Sequence, residues 1–244
     1  MPFLFLRQMH VRYSFEHDDR VPHEPAAPIS SVPVRALIHP ATGAELRSEF
    51  GDIDIYLFDQ LLKGRFDHRR RVLDAGCGDG RNLVYFLRHG FTCFGIDRDP
   101  RSVDDVRALA AQLAPDLPRD NFQTGEIEAL PWADGGMGAV ISSAVLHFCD
   151  DTLQFGRMVT EMWRVLAPGG LLFARLASNI GLEDKIGPAA GCRVRLPDGS
   201  TRFVVDERML LEWTARLGGR LADPIKTTNV QQQRCMTTWC VLKP

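Results

Sequence analysis

The chain lacks an excess of charge of either sign: 29 Lys and Arg stand against 31 Asp and Glu in 244 residues, a net charge of −2. Without a broad basic field there is no source of non-specific affinity for nucleic acid, so no nucleic-acid partner is expected. It also lacks any apolar run near the ~20 residues that span a bilayer, so no membrane association is expected. The opening MPFLFL is a short stub with Arg7, His10 and Arg12 behind it, whereas a signal peptide carries its charges ahead of a longer apolar segment. Six cysteines (Cys77, Cys93, Cys149, Cys192, Cys235, Cys240) include no CxxC pair and no zinc-type spacing. They read as reduced thiols of a cytoplasmic protein, with no metal site. What remains is ordinary: 45% hydrophobic, 25% charged and 9% aromatic residues, values that exclude fibrous and wholly disordered chains.

Residues 1–43 differ from the rest. Pro2, Pro22, Pro25, Pro28, Pro33 and Pro40 punctuate them, with charge clusters such as EHDDR and no sustained periodicity. Prolines remove backbone donors and block helices, so an irregular or partly disordered extension is expected there. From residue 44 the pattern is that of one domain. Leu46, Phe50, Ile53, Leu57, Leu61 and Leu62 recur at threes and fours, predicting an amphipathic helix within residues 44–66, with Gly51 marking a break.

Strand and helix patterns then alternate. RVLDA, FTCFGID, NFQTG, GAVISSA and LLFARLA read as five strands, and the stretches 82–89, 102–114 and 152–166 as helices between them. Pro100 suits a first helical turn, Asp150 or Asp151 a cap, and Pro168-Gly169-Gly170 a turn before the fifth strand. DERMLLEWTARLGG predicts a last helix, followed by two β-type stretches, LADPIKTTNV and CMTTWCVL, whose short QQQR link requires them to be antiparallel. The expected fold is α/β: a Rossmann-like, doubly wound, mostly parallel seven-stranded sheet with helices on both faces and a C-terminal antiparallel hairpin.

Chemistry concentrates in VLDAGCGDGRN, residues 72–82, which joins the first strand to the first helix. Gly76, Gly78 and Gly80 allow a tight turn and a close backbone approach by a ligand. The spacing is GxGxG rather than the GxGxxG of a dinucleotide fingerprint. Asp74 precedes the loop, and Asp97 ends the second strand, where a carboxylate can accept both hydroxyls of a ribose. Two carboxylates beside the loop disfavour a pyrophosphate and suit an adenosyl ligand that carries a cation, such as S-adenosylmethionine.

These segments resemble the class I S-adenosylmethionine-dependent methyltransferases. DAGCGDG is similar to their first motif, GIDRD to the acidic motif of the second strand, GEIEALPWADGGMGAVISSAVLHF to the region of the fourth strand, and RVLAPGGLLF to the turn before the fifth. The closing hairpin resembles the family's reversed last strand, and GCGDGRN more weakly resembles the small-molecule and tellurite-type members. The resemblance implies an S-adenosylmethionine cofactor, released as S-adenosylhomocysteine. It places Asp74, Gly76, Cys77 and Gly78 near the methionine part, Asp97 at the ribose, Arg98 near the adenine, and Glu126 and Ile127 at the adenine. Gly138, where the family commonly has an acidic residue, and Glu126, longer than the usual Asp, depart from the pattern.

On the acceptor side His147, just past the fourth strand, is the candidate general base, with packing as its plainer role. Ser143 ends that strand and is expected at the cofactor. Tyr56 and Asp59, in the helix expected to lid the pocket, are expected at the acceptor. Arg175, a charge on a central strand, is either an acceptor ligand or half of an internal salt bridge. Arg202 and Arg234 read as ordinary surface arginines. The expected partner is a small-molecule acceptor, for a monomer or homodimer. Competing expectations are a non-catalytic S-adenosylmethionine-binding protein, a dinucleotide-dependent oxidoreductase, and methylation of RNA or protein. The last is disfavoured by the neutral charge.

Overall fold

The computed structural model describes residues 42–188 and 190–244. The irregular extension expected over residues 1–43 therefore falls almost wholly outside the described residues.

Two short helices come first. α1 (Gly43–Phe50) opens with a reciprocal capping box between Thr42 and Glu45, and stops at Gly51, whose φ of +66° only glycine takes up without cost. α2 (Ile55–Leu62) is capped by Asp54. The break predicted at Gly51 is present, and the 44–66 stretch is two helices.

β1 (Arg71–Ala75), β2 (Thr92–Asp97), β3 (Phe122–Thr124), β4 (Met137–Ser143) and β5 (Leu166–Ser178) pair in parallel in the order β3-β2-β1-β4-β5. α3 (Val84–Arg88), α4 (Pro100–Leu113) and α5 (Thr152–Val165) connect them. Pro100 occupies the first turn of α4 behind an Asp99 cap, and Asp151 caps α5 through Gln154 N. Side chains alternate across the sheet, so β1 sends Val72 to one face and Leu73 to the other. Val72 packs with Leu57, Phe86, Val103 and Val106 beneath α2, α3 and α4. Leu73 packs with Phe155, Val159, Met162 and Leu210 beneath α5 and α7 (Glu207–Arg216). Burial on both faces explains why these strands read as apolar runs rather than as alternating ones.

The structure corrects the sequence reading in three places. The Pro168-Gly169-Gly170 turn lies inside β5, as an irregularity: Met137 pairs with Leu166 and Ala139 with Leu171. The sheet has eight strands rather than seven, because β8 (Arg220–Leu221) and β9 (Lys226–Val230) are separate pieces that both pair antiparallel with β10 (Arg234–Leu242). Pro224 lies between them and brings no N–H to a ladder. β10 also runs antiparallel to β5, Cys235 facing Ser178 and Leu242 facing Leu171. Finally, a one-turn α6 (Glu183–Ile186) is followed by a hairpin of β6 (Cys192–Arg195) and β7 (Thr201–Val204) that stands outside the main sheet. Its strands are too short and too charged to give a clean period, and this hairpin supplies one wall of the site.

Candidate active site

The loop after β1 is held by its own backbone. Gly76 N and Cys77 N both donate to Ile96 O (2.8 and 3.0 Å), and Gly80 N donates to Cys77 O. Gly76 has φ +84°, and a Cβ there would collide with the Val145 side chain, so the loop and the segment after β4 approach as only glycine permits. The Asp97 carboxylate completes the turn, accepting from Gly78 N through Oδ2 and from Asp99 N through Oδ1, each at 3.0 Å. A carboxylate has about four acceptor positions, so Asp97 keeps lone pairs for a ligand.

A cavity of about 370 Å³ lies at this edge of the sheet. Gly76, Asp97, Arg98, Glu126, Ile127 and Ser143, all expected at the cofactor, line it. Arg81, Gly125, Glu128, Ala144, Phe148 and Met158 also line it and were not singled out from the sequence. Arg81 spans the floor, donating to Asp52 O at 3.0 Å and to Ser143 Oγ at 3.2 Å.

Three of the expected cofactor residues do not line the cavity. Cys77 turns its side chain into the core, as its small apolar character dictates, and burial pushes its thiol far above the ordinary range. Gly78 contributes through its bond to Asp97. Asp74 is 1% exposed beneath the loop, and its carboxylate is short of well-formed hydrogen bonds, with the Asn82 side chain as its polar neighbour. Burial raises its pKa from 3.8 to about 7, against the pull of Arg81.

That raised value has a thermodynamic consequence. Between pH 3.8 and about 7 the folded chain holds a proton that the unfolded chain has released. The contribution is therefore present at low pH and lost as pH rises through about 7. Asp74→Asn is expected to be more stable than the parent at pH 8. The gap should grow from about pH 4 to 7 and stay level beyond, as measured by urea unfolding at stepped pH. A gap that does not change with pH would show that Asp74 ionises normally.

A second cavity, of about 300 Å³, lies on the far side of Ala144, the one residue named in both linings. Ala144 takes φ +64°, a conformation unfavourable to any side chain, and donates its N–H to Arg175 O at 2.7 Å. His147 faces this second cavity. It is 6% exposed, its Nδ1 has no partner among the described residues, and burial together with Arg202 and Arg175 lowers its pKa to about 4. It is a neutral imidazole at neutral pH.

The expected acceptor residues separate. Arg175 lines the second cavity, and its guanidinium pairs with the Asp54 carboxylate at 3.0 Å, so the internal salt bridge considered from the sequence is present. Tyr56 stacks beneath Arg175 (5.2 Å to the ring centroid) and bonds Thr228, without lining either cavity. Asp59 is not at the site: its carboxylate faces Lys63 and Lys226 at 2.7 and 3.3 Å in an ion network between α2 and β9. Arg202 and Arg234, read as ordinary surface arginines, both line the second cavity. Asp54 escaped notice because nothing in GDIDIY signals a buried N-cap; an Asp just before an apolar helix was the available clue.

Residues 73–174 match the family model described as a methyltransferase domain. That stretch, from β1 to the middle of β5, is similar to a methyltransferase domain. An uncharacterized methyltransferase of Mycobacterium tuberculosis is 29% identical to it over 155 residues, covering 59% of this chain and 58% of the relative. A probable S-adenosylmethionine-dependent methyltransferase of Mycolicibacterium smegmatis is 32% identical over 124 residues, covering 50% and 44%. The chain thus spans less than two thirds of the length of these relatives. Among solved structures, a Burkholderia thailandensis 1,6-didemethyltoxoflavin-N1-methyltransferase with bound S-adenosylhomocysteine superposes with a TM-score of 0.59. That alignment covers 82% of each chain at 15% identity, so it speaks to the fold alone.

Proposed function

We propose that this protein is an S-adenosylmethionine-dependent methyltransferase acting on a small-molecule acceptor, with residues 44–244 as the catalytic unit. The observation that supports the reading is the 370 Å³ cavity at the GxGxG edge, where the carboxylates of Asp97, Glu126 and Glu128 outnumber the guanidinium groups of Arg81 and Arg98. The N–H groups of Gly76 and Cys77 are spent on Ile96 O, which leaves the loop poorly equipped to cradle a pyrophosphate and argues against a dinucleotide.

The residues fit the cofactor. Asp97 keeps acceptor positions suited to ribose hydroxyls, Ile127 and Phe148 offer apolar surface to an adenine, and Arg98 and Glu126 flank that end. Asp74, buried beneath Gly76, gives up its proton only near pH 7, and a cationic ligand beside it would favour the ionised form. The bound cofactor supplies an electrophilic methyl group on sulfonium, and the demethylated product is S-adenosylhomocysteine. The protein's contribution is then chiefly orientation of the acceptor.

His147 accepts a hydrogen bond from the acceptor in this reading. With a pKa near 4 it is a weak proton acceptor, present in its neutral form at every pH above about 5. His147→Gln is expected to leave S-adenosylhomocysteine affinity within about twofold and to lower turnover roughly 10- to 100-fold, with no new pH transition between 6 and 8. Unchanged turnover would assign His147 to packing.

The Burkholderia enzyme holds 1,6-didemethyltoxoflavin beside S-adenosylhomocysteine, which supports a small acceptor here without naming it. No helix among the described residues is long and apolar enough to cross a membrane, and a cytoplasmic monomer or homodimer completes the reading. Isothermal calorimetry with S-adenosylmethionine and S-adenosylhomocysteine tests it. Saturable micromolar binding is expected; a folded protein that binds neither would overturn it.

A further inference from the structure

Apart from the segment after β4, which gives Ala144 and His147, the second cavity is built from elements that the first does not use. β5 contributes Arg175 and Ala177, β10 contributes Arg234 and Met236, and the β6–β7 hairpin closes it with Leu196, Ser200 and Arg202. Its apolar surface comes from Ala177, Leu196, Val230 and Met236.

The charges in its wall do not cancel. Arg175 is matched by Asp54 at 3.0 Å. Asp198 is 4.0 Å from Arg234 and is already occupied by Ser200, whose N and Oγ donate to it at 2.9 and 2.6 Å. Arg202 has no carboxylate partner among the described residues; it donates to Thr201 O and lies over the Phe148 ring at 4.9 Å. One positive charge is left over, on guanidinium groups whose planar forks suit bidentate capture of a carboxylate or phosphate. Beside them the buried His147 presents an unpartnered Nδ1.

We propose that this cavity is the acceptor site and that it selects a small organic anion, a carboxylate or phosphate monoester carrying an apolar body. Arg202 and Arg234 hold the anionic group, Leu196, Val230 and Met236 hold the apolar body, and His147 meets a second polar group of the ligand. The proposal rests on the methyltransferase reading of the adjoining cavity, with which it shares Ala144. The same positive field that attracts the anion acts on His147, where Arg202 and Arg175 both oppose protonation.

Benzoate and phenyl phosphate are suitable anionic probes, with benzamide as the neutral molecule of the same shape. Calorimetry with and without saturating S-adenosylhomocysteine is expected to show at least one anion binding tenfold or more tightly than benzamide. The stronger of the two identifies carboxylate or phosphate as the preferred group. In the double variant Arg202→Gln, Arg234→Gln that preference should fall tenfold or more, with S-adenosylhomocysteine affinity unchanged. Arg193→Gln, whose guanidinium bonds Phe148 O and Asp150 outside the cavity, should retain it. Both substituted arginines are at least partly exposed, so the double variant is expected to fold. The proposal fails if neither anion binds, if benzamide binds equally well, or if the double variant binds the anion like the parent. S-adenosylhomocysteine binding without anion preference would remove this proposal alone. Anion binding without S-adenosylhomocysteine binding would remove the methyltransferase reading and leave the anion site standing.

Discussion

Asp97→Ala is expected to weaken S-adenosylhomocysteine binding by about 100-fold or more. The Asp97 carboxylate makes two backbone hydrogen bonds, to Gly78 N and Asp99 N, and faces the cavity with its remaining lone pairs. Charge-assisted bonds of this kind contribute about 1.5–3 kcal/mol each. Losing them to the loop and to the ligand together exceeds the ~2.7 kcal/mol that corresponds to a hundredfold change in affinity. Asp97→Asn keeps one acceptor oxygen and should fall between parent and Ala variant. Calorimetry measures the loss, and circular dichroism establishes that the sheet is intact. Retention of affinity within about fivefold in a folded Ala variant would mean that Asp97 shapes the loop without holding the cofactor.

Asp54→Ala is expected to cost stability more than any other single change at the site. Asp54 is 4% exposed and does four jobs: its carboxylate accepts from Tyr56 N (2.9 Å), Ser143 Oγ (3.0 Å) and Arg175 Nη1 (3.0 Å), and its N–H donates to Asn82 Oδ1 (3.0 Å). Truncation removes a helix cap worth about 1 kcal/mol. It also leaves the Arg175 guanidinium, 22% exposed, without its carboxylate, a loss toward the lower end of the about 3–5 kcal/mol for breaking a fully buried pair from one side. For a chain of this size the melting temperature should fall by roughly 10 °C or more. The double variant Asp54→Leu, Arg175→Met, which removes both charges, should recover part of the loss, and a double-mutant cycle gives the coupling directly. A cost below about 1 kcal/mol for Asp54→Ala would show that the pair is not what binds α2 to the ends of β4 and β5.

The parallel half of the sheet was legible because each strand there is buried on both faces and appears as an apolar run. RVLDA gives β1 at its observed bounds, Arg71–Ala75. The capping Asp151 and the first-turn Pro100 follow local rules and were equally readable. The cofactor half of the candidate site was legible for the same reason. Its residues follow strand ends in sequence, and the sheet brings strand ends together.

The acceptor half was not. Arg202 and Arg234 come from a detached hairpin and from an antiparallel strand, and only tertiary packing sets them against His147. CRVRLPDGSTRFV does carry a turn signal in Pro197-Asp198-Gly199, yet its two flanks are four residues each and only Phe203 and Val204 among them are buried. Asp59 misled for the opposite reason: its helix is near the site, but its helical phase points the carboxylate at Lys63 and Lys226.

The position of β10 between β5 and the β8–β9 edge bears on how the chain is made. β5 is complete at Ser178, whereas its antiparallel neighbour begins only at Arg234. Through the synthesis of everything in between, the growing polypeptide exposes an open, apolar strand edge, the kind that templates pairing with another chain. Pairings so distant in sequence also form slowly. Crowded nascent chains on one messenger are thus at greatest risk of sticking to each other in that interval, and slowing translation between Ser178 and Arg234 should lower soluble yield more than slowing it elsewhere.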